Sequence, residues 1–330
     1  MQYVLEGSVR KADKRVLITS QLVETLTGHH VWAERYNRSL QDLFALQEEV
    51  RRKIVAHLAV KLTNEEEAWW ERTYTRNPEA YDYLLRGLES QWHFTKERFD
   101  HARQMYKKAI ALDPTYAVAY AWIGWTYWME WFYQLSDDPQ ALDQAFAIEQ
   151  QAIALDDSLS LAHDVLGLVY LYRNKQYEQA IAEAKRAIAL SPNFYSPYGA
   201  LAASLISAGR PAEAIAELEK AIRLNPRNPL YLATYLTGLG VAYSLTGRVE
   251  EAITALKRAV SLSPNFSPPH ENLASIYSAL GREEEARAEA AEVLRLNPRF
   301  SLEGLKQRLP VKDPAAVEQY LASLRKAGLK

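Results

Sequence analysis

Histidine is the side chain best placed for acid–base or metal chemistry near neutral pH, and the chain carries seven: His29, His30, His57, His93, His101, His163 and His270. Their spacing assembles no site. His29 and His30 share a turn where a metal ion could bind, but solvated turn residues are the better reading. His163 and His270 fall where a repeated unit elsewhere has Tyr198, so packing explains them. The chain has no cysteine, which removes thiolate nucleophiles, thiolate metal sites and disulfides. The acidic runs Glu65–Glu67 and Glu283–Glu285 could dock a basic partner, but both sit where helices start and complement the helix dipole. The sequence contains no GxxxxGK[ST], GxGxxG, HExxH or GxSxG pattern. No catalytic constellation and no cofactor are expected. The resource in excess is aromatic: in YAWIGWTYWMEWFY, Tyr120–Tyr133, eight of fourteen residues are Tyr, Trp or Phe.

The elements that position these residues repeat. Tyr195–Asn228 reads as two short helices joined by a tight turn. Tyr198, Leu201 and Leu205 recur at helical spacing, with small Ala202 admitting a neighbouring helix. Gly209 ends the first helix and Pro211 suits the first turn of the second. Ala214, Leu218 and Ala221 form the second stripe, and Asn225-Pro226 stops it. The closing pattern recurs at Ala111–Pro114, Ala154–Asp157, Ala189–Pro192, Arg223–Pro226, Ser261–Pro264 and Arg295–Pro298, which implies six units. The second is too long, with the excess near Glu130–Gln140; the first and fifth carry smaller excesses. One such hairpin cannot bury its own apolar face, so the units must stack. After Pro298, a short helix and a second from Asp313-Pro314 would cap the last face through Val317, Tyr320, Leu321 and Leu324.

The period and the helix-turn-helix pattern resemble the tetratricopeptide repeat. That resemblance implies a mainly α solenoid in which each repeat's first helix lines a concave groove. The groove face would carry Trp125 and Trp128, then Leu168, Leu171 and Tyr172, a candidate site for a peptide or partner helix. Two other readings stand beside it. The N-terminal unit or the Trp69–Trp70 segment could cover these aromatics, or they could face a membrane or an oligomer. Some family members hold peptide carboxylates through Lys and Asn. The matching places here are Asp164, Gly199, Thr237 and Glu271, then Leu168, Ala203, Val241 and Ser275, which do not support such a clamp. Ser204, Ser207, Ser244, Ser275 and Ser278 suggest a small, polar C-terminal groove.

Composition bounds the rest. A hydrophobic content of 48% over 330 residues suits folded domains, and a net charge of −2 gives no basic footprint for nucleic acid. No apolar run reaches the roughly 20 residues of a transmembrane helix. Residues 3–38 differ from the repeated units. Tyr3–Arg10 and Arg15–Glu24 read as a β-hairpin, and His30–Tyr36 as a third strand with Trp32, Glu34 and Tyr36 on one side. Ser39 offers an N-cap, and Leu43, Leu46, Val50, Ile54 and Leu58 line one face of a helix to about Leu62. An uncovered sheet edge would favour a homodimer through these strands.

The run Tyr3–Val50 resembles the C-terminal half of a TolB-like α/β domain. The junction Thr75–Leu88 and the tail Leu305–Leu329 also resemble bacterial proteins that place such a domain before tetratricopeptide repeats. Many of these carry a class III adenylate/guanylate cyclase domain further upstream; others carry a winged-helix DNA-binding domain. No residues of a cyclase domain or of the first TolB-like half are present here. The expected organisation is a partial TolB-like unit over 1–62, a linker helix over 63–77, six repeats over 78–298 and capping helices over 299–330. The expected function is a protein–protein interaction scaffold that binds a protein or peptide in the concave groove. The alternative is the non-catalytic regulatory segment of a nucleotide cyclase. A cytoplasmic location is expected, or a periplasmic one behind an upstream membrane segment.

Overall fold

A computed structural model of the chain describes residues 2–12, 15–39, 42–58, 75–136 and 138–330. It forms two compact units, one of residues 2–93 and 101–119, the other of 94–100 and 120–330. The expected linker helix over 63–77, with Trp69 and Trp70, lies almost wholly outside the described residues; Thr75–Asn77 are not helical.

The first unit begins with an antiparallel sheet of β1 (Tyr3–Ala12), β2 (Arg15–Glu24) and β3 (His30–Ser39), with β2 in the centre. Strand alternation puts Leu22, Trp32 and Tyr36 on one face, where they pack against Leu46 of helix α1 (Leu43–Leu58). Val50, Ile54 and Leu58 extend that contact. Lys53 on α1 bonds Glu34 on β3, which holds the Glu34 carboxyl down at about 2. Ser39 pairs with Arg15 at the end of β3, and the residues that follow it, where its expected N-cap would act, lie partly outside the described residues. Helices α2 (Pro78–Gln91) and α3 (Lys96–Leu112) form the first helix pair. Asn77 caps α2 through its side chain, and the Tyr106 hydroxyl donates to Gln91 Oε1 at 2.6 Å.

The second unit stacks five further helix pairs. These are α4 (Ala117–Phe132) with α5 (Ala141–Leu155), α6 (Ser160–Asn174) with α7 (Tyr177–Leu190), and α8 (Ser196–Ser207) with α9 (Pro211–Leu224). Then come α10 (Pro229–Leu245) with α11 (Val249–Leu262) and α12 (Ser267–Ala279) with α13 (Glu283–Leu296). The six closing sequences each end a second helix at their leucine: Leu112, Leu155, Leu190, Leu224, Leu262 and Leu296. Asn225 and Asn297 leave the helical region there, at φ −132°, ψ 69° and φ −131°, ψ 88°, in keeping with the bias against helical geometry that the following proline imposes. Ala180, Ala214, Ala252 and Ala286 are buried and let the first helix of each pair close on the second. Gly209, Gly247 and Gly281 turn between helices at φ of 84°, 78° and 75°, in the left-handed region. The same turn in the first three pairs holds Phe94, Gln134 and Lys175 at φ of 50°, 53° and 53°.

Helices α14 (Leu302–Arg308) and α15 (Pro314–Lys326) close the array. Val317, Leu321 and Leu324 join one cluster with Leu273 and Tyr277 of α12, and Tyr320 packs against it. The excess residues of the second pair form the loop from Tyr133 to Gln140, while those of the fifth pair lengthen α10 at its start.

Candidate functional site

The last turn of α4 and the loop after it leave aromatic rings uncovered. Trp131, Phe132 and Tyr133 are partly exposed. Trp128 stacks on Phe132 at 5.1 Å, and Trp131 meets Tyr172 of α6 at 5.3 Å. The array curls far enough to bring Tyr133 within 6.4 Å of Phe266, which precedes α12. Between these walls lies a cavity of about 820 Å³. Asn265–Pro268, Glu271, Leu296, Asn297, Arg299–Ser301, Gly304, Leu305, Gln307 and Arg308 contribute to its far side. That volume falls within the range of roughly 300–1,000 Å³ usual for ligand sites.

Four charged side chains line it, Asp138, Glu271, Arg299 and Arg308, and two of them, Glu271 and Arg308, are perturbed by burial. Ser267 donates to Glu271 Oε1 at 2.7 Å, and burial raises the Glu271 carboxyl above its ordinary range despite that bond. Burial lowers the Arg308 guanidinium, with Glu271 and Tyr172 opposing the shift. Arg308 Nη1 is buried with no hydrogen-bond partner among the described residues. Leaving a buried donor unpaired costs about 1–3 kcal/mol, more for a charged group, so this nitrogen is held ready for an acceptor. Trp131, Phe132, Tyr172 and Phe266 offer apolar surface beside it.

The five groove residues named from the sequence divide. Tyr172 lines the cavity. Trp125, Trp128, Leu168 and Leu171 are buried, at 5%, 9%, 9% and 0% exposure. Trp125 is covered from the first helix pair's turn and second helix, by Phe94 at 6.2 Å and Phe99 at 5.9 Å, both edge-on, and by Trp122 at 5.5 Å. Trp128 supports the wall from behind through Phe132. The serine groove is corrected: Ser204, Ser207 and Ser278 are buried, and Ser204 bonds Ala200 O within its own helix. His163 packs as expected, bonding Asp157 O at 2.8 Å as Tyr198 bonds Pro192 O, each six residues back. Arg308 escapes a sequence reading because it stands outside the repeat register.

Between α5 and α6 the interior is acidic. Glu149 and Asp164 are 0% and 1% exposed, and Glu149 has no hydrogen-bond partner for either oxygen among the described residues. Burial pushes Asp164 up to about 7, and burial with the Asp164 charge raises Glu149 well above the usual carboxylate range. Gly124 leaves the room: a Cβ there would collide with Glu149. No helix among the described residues is long and apolar enough to cross a membrane.

Comparison with known proteins agrees with this architecture. Tetratricopeptide repeat models match residues 90–116, 162–194, 194–265 and 245–309. A protein of Rhizobium meliloti (strain 1021) named "Putative adenylate cyclase 3" is 40% identical over 169 residues, 51% of this chain and 29% of that protein. The TPR repeat-containing thioredoxin TTL4 of Arabidopsis thaliana is 39% identical over 68 residues, 21% of this chain and 9% of that protein. The chain thus spans less than a third of the length of these curated relatives. Among solved structures, the Cut9–Hcn1 hetero-tetramer of the APC/C aligns with a TM-score of 0.58 at 20% identity, covering 77% of this chain and 44% of that one. The human IFIT1 dimer with m7Gppp-AAAA aligns at 0.55 and 16% identity, covering 74% and 59%. At these identities the likeness is one of fold. With six helix pairs, a recurring closing sequence and the matched repeats together, the chain belongs to the tetratricopeptide-repeat family.

Proposed function

We propose that the chain is an interaction module that holds an extended segment of a partner protein in the cavity between the second and sixth helix pairs. The observation that carries this reading is the cavity itself, with an aromatic wall on one side and Arg308 and Glu271 on the other. Tyr172 touches the segment directly, and Trp125, Trp128, Leu168 and Leu171 hold the wall in shape. An extended chain suits the site because its main-chain N–H and C=O groups need partners that Glu271 and Arg308 supply. The test is selection of random displayed dodecapeptides on the full chain, followed by binding of the selected peptides to Phe132→Ala/Tyr172→Ala. Loss of binding with little change in melting supports the cavity. Full retention places the partner elsewhere on the array.

A second reading rests on the similarity over 169 residues to the Rhizobium meliloti protein. In it the chain is the non-catalytic regulatory segment of a cytoplasmic bacterial signalling protein, with residues 1–62 as a partial TolB-like unit. A cyclase domain in the same reading frame upstream would support it; a winged-helix domain there would replace it. Under either reading, β1 offers an exposed edge with Leu5 at 51% and Val9 at 72% exposure. A homodimer through that edge should disappear in light scattering when Val9 is changed to Lys.

A further inference from the structure

We infer that the cavity selects its partner by an acidic side chain, an Asp or Glu carboxylate that Arg308 grips beside the aromatic wall. This rests on the reading of the cavity as the partner site and names what it recognises there.

Arg308 is pinned on both sides. It ends α14, the next residue's N–H donates to Leu305 O at 3.0 Å, and Lys312 N–H donates to Ser207 O at 2.9 Å. Pro310 between them is buried. The backbone therefore fixes where the guanidinium enters the cavity, which lowers the ordering cost of forming a contact. Arg308 forms no ion pair with Glu271, although the two feel each other's charge. Glu271 is instead held by Ser267. The result is a cation whose Nη1 is out of water and unpaired among the described residues.

A guanidinium in that state matches a carboxylate, because its fork places two parallel N–H groups on two oxygens. Charge selects a carboxylate over a phosphate. Glu271 and Asp138 line the cavity together with Arg308 and Arg299, so the lining has no net positive charge to balance a group carrying nearly two negative charges, whereas one carboxylate matches the fork of Arg308. Glu271 can accept an N–H from the segment's main chain. Trp131, Phe132 and Tyr172 then take an apolar neighbour of the acid. The recognised element is thus an acidic residue next to a bulky apolar one, in extended chain.

The experiment compares wild type, Arg308→Gln and Arg308→Lys as full chains. Random dodecapeptides displayed with blocked C-termini are selected on each, so that only side-chain carboxylates are on offer. The strongest selected peptide is then made, capped at both ends, with its acid and with the matching amide. Wild type should enrich Asp and Glu at one position beside an apolar residue. The acid-to-amide change should weaken binding by about tenfold, the scale of one charge-assisted bond, and Arg308→Gln should erase that difference. Should Arg308→Gln lower the melting temperature by more than a few degrees, Arg308→Lys is read in its place. It keeps the charge and loses the fork, so it should weaken the acidic peptide and leave the amide peptide unchanged. Equal binding of acid and amide, or undiminished acid preference in the variants, overturns the inference and leaves the cavity reading standing. Selection that is the same on wild type and on Phe132→Ala/Tyr172→Ala overturns both.

Discussion

Removing the charge that Asp164 can acquire should stabilise the protein in alkali and do nothing in acid. Asp164 is 1% exposed, and burial pushes its carboxyl from 3.8 to about 7, with the Ser196 hydroxyl opposing the shift. The groups around it do not favour a negative charge. Glu149 on α5 is a second buried carboxyl, and the hydroxyls of Tyr195, Tyr231 and Tyr235 feel its field. The sign comes from proton counting. Between pH 4 and 7 the folded chain keeps a proton that the unfolded chain has lost, so stability falls as pH rises and levels off above 7. Three pKa units at 1.36 kcal/mol each give a total loss of about 4 kcal/mol, of which roughly 2–3 falls between pH 5 and 8. Asp164→Asn keeps the shape, can still accept from Ser196 and cannot ionise. Because repeat arrays open locally, the assay is hydrogen exchange of the α5 and α6 amides, wild type against variant at equal pH. Protection in Asp164→Asn should exceed wild type by about 2–3 kcal/mol more at pH 8 than at pH 5. His163 is the control. Burial disfavours its charge, but the Glu183 hydrogen bond, the Asp157 carbonyl and the Glu183 charge together outweigh that and raise it, so its contribution also fades as pH rises, and it is common to both proteins. An identical pH dependence in the two proteins would show that Asp164 is already ionised or solvated, and the reasoning would fail.

The packing sets other expectations. Lys175 sits at φ 53° where later turns use glycine, so Lys175→Gly should raise stability by about 1 kcal/mol, read as a higher melting temperature. Gly209 at φ 84° predicts the reverse: Gly209→Val should cost about 1–2 kcal/mol in urea titration. Trp125 is enclosed by Phe94, Phe99 and Trp122, so Trp125→Ala should cost about 3–5 kcal/mol by thermal melting. A small loss there would mean that the ring is exposed in solution. Leu324 is fully buried on the inner face of the capping helix α15, so Leu324→Ala should cost about 2–5 kcal/mol and expose the α12 face to hydrogen exchange.

Local chemistry explains what is legible in the sequence. Five of the six closing sequences follow the leucine with Asp-Pro, Ser-Pro or Asn-Pro, a stop that needs no tertiary help, and the sixth, with Asp156-Asp157, ends its helix at the same leucine without proline. Gly209, Gly247 and Gly281 announce their turns, whereas Phe94, Gln134 and Lys175 make the same turn without a signal. Ser39 ends β3 opposite Arg15, a pairing that spacing along the chain does not announce, because pairing is not local. The cover over Trp125 comes from Phe94 and Phe99 in the preceding helix pair, and spacing within one repeat carries no trace of it.

Arg308 and the inner-face acids show where repeat logic stops predicting function. Asp164 and Glu271 hold the same register position in two repeats, yet their surroundings differ. In mid-array the equivalent places are closed: Asp164 is buried, Tyr235 packs against Gly199, and Thr237 is 8% exposed. At the array's end, Glu271 borders the cavity and meets an arginine that no repeat encodes. A curled stack must fill its own inner face wherever successive first helices converge, and Tyr195, Tyr231 and Tyr235 do so here, with ring centroids 5.1–6.4 Å apart. Among the described residues, the cavity opens where the stack meets something aperiodic. In this chain those places are the Tyr133–Gln140 loop and the α14 segment, and the cavity lies between them. Binding specificity should therefore track changes in the loop and the cap more closely than changes in the repeats. Exchanging α14 and the Leu309–Lys312 segment for a plain repeat end should abolish selection of acidic peptides while the central helix pairs keep their protection.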